Sequence, residues 1–111
     1  MDNKKDNSYY IQKIITDLSF ICKHTEKLTQ QELESNEILV DSVMFRLIQV
    51  SENTDKLTDD FKLYYSAIPW RAVKGMRNRI VHDYGNVDLS VVYDTVVNDI
   101  PQLLKEFENI G

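Results

Sequence analysis

Four cationic side chains, Arg71, Lys74, Arg77 and Arg79, fall within nine residues and lead directly to His82 and Tyr84, in the stretch IPWRAVKGMRNRIVHDYGN. Arginine's planar fork of donors suits the oxygens of a phosphate, and imidazole exchanges its proton near neutrality. Together such groups can cut RNA without a metal. The imidazole takes the 2′-OH proton, and the guanidinium offsets the charge that grows on the phosphorus oxygens. Asn78 stands one turn before His82 and can orient its ring. One histidine and one arginine are half of the usual acid–base pair, and a two-fold dimer would supply the other half. The plainer account is that basic residues on one helix face are ordinary solvated surface. In that account His82 is structural, Arg77 is tied to an acid such as Glu52, and the lone Gly75 makes no phosphate loop.

These residues need a helix to hold them. With Arg77 placed at zero and an advance of about 100° per residue, Trp70, Val73, Ile80, Val81 and Tyr84 fall within roughly 60° of it, and Met76 just beyond. Arg71, Lys74, Asn78 and His82 form a polar stripe along one border. Arg77 thus lies inside the apolar arc, where a guanidinium needs a carboxylate, a phosphate or an interface. The helix is expected from Pro69, suited to a first helical position, to about Tyr84, with Gly85-Asn86 as a left-handed exit.

The other apolar residues also recur at three and four, with only three glycines and two prolines to interrupt them, so the whole chain reads as helical. A loose leader (residues 1–7) precedes a first helix from about Ser8 to His24. It turns Ile11, Ile14, Ile15, Leu18 and Ile21 inward. TQQE (Thr29 to Glu32) has the form of a capping box and opens a long second helix to about Asn53. LTDD (Leu57 to Asp60) closes that helix and opens a short third piece. Asp88 is an N-cap for the last helix, with Val87 and Val92 as a staple. Pro101 should bend that helix. The expected architecture is an all-α bundle of four main helices and a short one, as one domain over residues 1–111.

The chain carries 13 cations against 18 acids, a net charge of −5. Residues 70–82 hold four of those cations and no acid, so a local basic face sits on an acidic body. That balance argues against indiscriminate coating of nucleic acid and allows a polyanion to be held at one place. Cys22 is the only cysteine, and the two histidines stand 58 positions apart. Neither an internal disulfide nor a zinc cluster is expected, and Cys22 reads as a small core residue. No apolar run reaches the roughly 20 residues of a membrane helix, and MDNKKDNSYY lacks the apolar region of a secretory signal. A cytoplasmic, metal-independent protein without a cofactor is expected.

Arg77-Asn78-Arg79-Ile80-Val81-His82-Asp83-Tyr84 resembles the R-x4-H-x-Y signature of the HEPN superfamily, and more narrowly the HepT-like toxins of prokaryotic toxin–antitoxin pairs. The likeness extends through the Pro-Trp start at Pro69 and the later D-I-P at Asp99 to Pro101. FRLIQVSENTDKL resembles the family's second-helix segment, with Glu52 where the family has an acid. The sequence differs at the residues flanking Glu52, where relatives often carry glycine and alanine, and at Gly85, where a bulkier aromatic is common.

The resemblance implies a HEPN-type helical bundle, a homodimer, and a metal-independent endoribonuclease site at the dimer cleft. It makes Arg77 and His82 catalytic and Asn78 supporting, with Arg71, Lys74 and Arg79 left to bind RNA. Cellular RNAs, transfer RNA among them, are the implied substrates. The implied partner is a minimal nucleotidyltransferase antitoxin, which uses ATP to place AMP on the motif tyrosine, here Tyr84, or blocks the cleft by contact. The alternative is a catalytically silent nucleotide- or RNA-binding adaptor of a nucleotidyltransferase on the same scaffold.

Overall fold

The computed structural model of the chain describes residues 6–80 and 87–110, and every regular element among them is helical. Helix α1, Asn7–Thr25, starts where the Asp6 carboxylate accepts from the Tyr9 N–H at 3.1 Å. Lys23 and His24 lie in its last turn, where the helix dipole favours positive charge. Ile11, Ile14, Leu18 and Ile21 are buried as the periodicity required, and Ile15 is partly so. The expected leader, residues 1–7, falls mostly outside the described residues.

The capping box forms as read. The Thr29 hydroxyl accepts from the Glu32 N–H at 3.1 Å, and the Thr29 N–H donates to the Glu32 carboxylate at 2.8 Å. It opens only α2, Gln30–Glu34, however, and not the long helix expected. The chain leaves the helix at Asn36 (φ −103°, ψ 86°), whose side chain accepts from the Leu39 N–H at 3.1 Å and starts α3, Glu37–Asp55. Serine and asparagine offer the backbone a competing hydrogen bond, so the pair Ser35-Asn36 divides what apolar periodicity alone would join. Helix α4, Asp59–Tyr64, is capped by Thr58. Asn7 and Thr58 exchange two hydrogen bonds of 3.1 Å, which tie the start of α1 to the start of α4.

The expected helix from Pro69 is also divided, into α5, Trp70–Lys74, and α6, Met76–Ile80, with Pro69 in the cap position and not inside the first turn. Its continuation to Tyr84 and the exit at Gly85-Asn86 lie outside the described residues. Asp88 caps α7, Leu89–Asp94, through the N–H groups of Ser90 and Val91. A π-helical turn, Thr95–Asp99, then leads into α8, Ile100–Glu108. Pro101 is expected from the sequence to bend the last helix, and the interruption beside it is this π-helical turn. Proline lacks an N–H and its ring crowds the carbonyl four residues back, and the widened turn just before it lets the Ile100 N–H reach the Thr95 carbonyl.

Helix α1 packs against α3 and α8, and α3 also backs α5 and α6. Ile14, Leu18, Val43, Leu47, Val92 and Phe107 are fully enclosed there. Between α1 and α3, buried Asp17 accepts from the Arg46 guanidinium at 2.7 Å, and that guanidinium also lies over the Phe20 ring at 4.1 Å. Trp70 stands edge-on to Phe107 with ring centres 5.7 Å apart, and its indole N–H donates to the carbonyls of Lys62 at 2.9 Å and Tyr65 at 3.0 Å. The indole is thus committed to joining α4, α5 and α8.

Cys22 packs half-buried against the core, and burial, followed by the nearby Glu108 and Glu26 carboxylates, pushes its thiol pKa up. The folded chain therefore holds the protonated thiol where the unfolded chain has begun to ionise. This contribution to stability is present below the ordinary thiol pKa and is lost as pH rises through the raised value. We expect Cys22 to react with iodoacetamide more slowly in the native chain than in urea at pH 8, as read by mass spectrometry.

Candidate active site

Helices α5 and α6 meet at Gly75, whose N–H reaches back to the carbonyls of Arg71 and Val73. A Cβ at this position would meet the Arg71 carbonyl at 3.3 Å. Glycine spares the junction that contact. Val73 and Met76 go into the core, as the helix wheel required. Arg77 does not follow them, and its side chain is exposed. Val73 and Met76 lie about 40° and about 100° to one side of Arg77 at about 100° per residue, so Arg77 stands at the border of the buried face and its side chain is exposed.

The wall opposite is α3. Buried Ser51 donates its hydroxyl to the Val73 carbonyl at 2.9 Å and so fastens α5 to α3. Around that bond the two walls form an open groove of about 450 Å³. It is lined by Arg71, Lys74, Arg77 and Asn78 with Ser51, Glu52 and Asp55. The Lys74 ammonium lies 3.7 Å from the Asp55 carboxylate, with both side chains more than half exposed, so water screens most of the attraction. Among the described residues Arg71, Arg77 and Asn78 have no ion pair or side-chain hydrogen bond. Glu52 shares the groove with Arg77 without forming the ion pair that the plainer sequence reading allowed.

Arg79 goes elsewhere. It approaches Asp99 at 3.6 Å and lines a separate, mainly apolar hollow of about 320 Å³ floored by Val73, Met76 and Leu103. The fold thus brings Arg71, Lys74, Arg77 and Asn78 together and separates Arg79 from them. His82 and Tyr84, named from the sequence as catalytic and modified residues, lie outside the described residues. Sequence reasoning did not find Ser51 or Asp55. Their signal was present in the spacing of Ser51, Glu52 and Asp55, which puts three polar side chains on one side of a helix otherwise read for its apolar face.

The two uncommitted guanidiniums, the weakly held ammonium and the amide on one wall of this groove can receive an anion with several oxygens, opposite the Glu52 and Asp55 carboxylates on the other. The description Ribonuclease HepT-like matches residues 14–110. The chain belongs to the HepT-like ribonuclease family, and it has the all-α architecture expected of that resemblance.

Similar proteins include the one named "Probable ribonuclease HepT" in Thermococcus cleftensis, 28% identical over 107 residues, which span 96% of this chain and 97% of that one. A Methanocaldococcus jannaschii protein, "Putative RNase MJ0125", is 29% identical over 107 residues, 96% of this chain and 92% of its own. "Putative RNase TTE0752" of Caldanaerobacter subterraneus subsp. tengcongensis is 23% identical over 101 residues, 91% of this chain and 90% of its own. No solved structure matches the chain. Among the described residues no helix is long and apolar enough to cross a membrane.

Proposed function

We propose that the chain is the toxin of a prokaryotic toxin–antitoxin pair, a cytoplasmic endoribonuclease that cuts cellular RNA, transfer RNA included, without a metal or cofactor. The observation that carries this reading is the groove in which Arg71 and Arg77 stand unpaired beside Lys74 and Asn78, at the helix that leads toward His82. The cations hold the phosphate. His82 takes the proton from the 2′-OH, the 2′-oxygen attacks phosphorus, and the bond to the 5′-oxygen breaks. Arg77 balances the charge that builds on the non-bridging oxygens. The leaving 5′-oxygen receives a proton from His82 of the partner subunit in a two-fold homodimer, which supplies the acid that one chain lacks. The products are a 2′,3′-cyclic phosphate and a 5′-hydroxyl.

A nucleotidyltransferase antitoxin silences this chemistry. The Tyr84 hydroxyl attacks the α-phosphate of ATP, pyrophosphate departs, and the attached AMP brings negative charge to the site that RNA must enter. Expression of the chain alone is expected to arrest growth with degraded RNA, and the His82→Ala chain to permit growth at equal abundance. Co-expression with the antitoxin is expected to add one or more AMP masses at Tyr84. Arrest by the His82→Ala chain would contradict the catalytic assignment. Full neutralisation with an unmodified Tyr84 would show silencing by contact.

A further inference from the structure

The groove contains more than phosphate binding requires. Glu52 and Asp55 stand about one turn apart on α3 and line the same cavity as Arg71, Lys74, Arg77 and Asn78. Carboxylates repel a phosphate, so a surface serving only the RNA backbone gains nothing from them. Asp55 has a role, since Lys74 lies 3.7 Å away. Glu52 is exposed and, among the described residues, has neither an ion pair nor a hydrogen bond. A carboxylate and a guanidinium, Glu52 and Arg77, therefore border one space of about 450 Å³ without pairing.

The ligand that satisfies both walls is anionic at one end and offers neutral hydrogen-bond donors at the other. A nucleotide of single-stranded RNA has that form, with its phosphate against the cations and its base edge free to be read. Carboxylates accept from exocyclic amines such as that of cytosine. Guanine offers a ring N–H and an amine side by side, matching both carboxylate oxygens, while uracil has no amine at all.

We infer that Glu52 is a specificity-determining residue that reads an amine-bearing base, guanine above all, beside the phosphate held by Arg71 and Arg77. The inference rests on the ribonuclease reading and adds a base preference to it. The probes are 2′-O-methyl uridine octamers in which one central residue is uridine, adenosine, cytidine or guanosine, and binding is followed by fluorescence anisotropy. With no free 2′-OH at any position they cannot be cut, so binding is read whether or not the chain is active.

The guanosine probe is expected to bind about fivefold or more tightly than the all-uridine probe. Glu52→Gln keeps the size of an exposed side chain and should bring that ratio close to one while retaining binding to uridine. A wild-type chain that binds no probe, or binds all four alike, overturns the inference, as does a ratio that survives in Glu52→Gln. Equal loss of every probe in Glu52→Gln also overturns it, because Glu52 would then be supporting Arg77. Discriminating binding by a chain that cuts no natural RNA defeats the nuclease reading and leaves the base reading standing. Cleavage without discrimination does the reverse.

Discussion

Arg77→Ala is expected to slow RNA cleavage by the purified chain about 10²–10³-fold, the usual cost of removing one group that stabilises a developing oxyanion. The fold should not suffer. The side chain is exposed and makes no ion pair or side-chain hydrogen bond among the described residues, and such substitutions ordinarily alter stability by no more than about 0.5 kcal/mol. Single-turnover cleavage of a labelled RNA, paired with circular dichroism of the same sample, separates the two effects. Arg77→Lys should recover part of the rate, since an ammonium restores the charge without the two-pronged geometry. A parallel loss of helicity and activity would mean that Arg77 holds the bundle together and does not act on a bound phosphate.

Phe107→Ala should produce the largest loss of stability. Phe107 has no exposed surface and meets the edge of Trp70, which in turn is hydrogen-bonded to the end of α4. Deleting a buried phenyl ring costs about 3–5 kcal/mol through lost transfer energy and the cavity left behind. A domain of this size has only about 5–15 kcal/mol in total. The urea midpoint should fall steeply with the slope unchanged. The Trp70 environment should loosen with it, because the indole loses the ring it meets in α8. A shift of less than about 1 kcal/mol would mean that the α1–α8 side of the core repacks freely.

Apolar spacing is a good guide to which residues are buried and a poor guide to where helices stop. Ile11, Ile14, Leu18 and Ile21 could all be placed inward from the sequence, because burial of one face is what the three-and-four pattern encodes. The breaks at Ser35-Asn36 and at Gly75 could not, since each turns on a local competition for backbone hydrogen bonds and leaves the apolar pattern intact. The wheel places Arg77 inside the apolar arc, whereas its side chain is exposed and lines the groove. Arg79, about 200° round from Arg77 on the same wheel, lines the separate hollow. Likewise the α3 wall of the groove is a long-range feature, created when the Ser51 hydroxyl meets the Val73 carbonyl 22 residues later. The resemblance to the R-x4-H-x-Y signature pointed to the right family without depending on these details, because it rests on residue identities and not on helix phase.

The most direct test is to incubate the purified, unmodified chain with total cellular RNA, with and without an excess of chelator, beside the His82→Ala chain. The proposed mechanism predicts discrete fragments ending in 2′,3′-cyclic phosphate and 5′-hydroxyl, unchanged by the chelator and missing with His82→Ala. Intact RNA in every lane, cleavage that the chelator stops, or equal cleavage by the His82→Ala chain would contradict it.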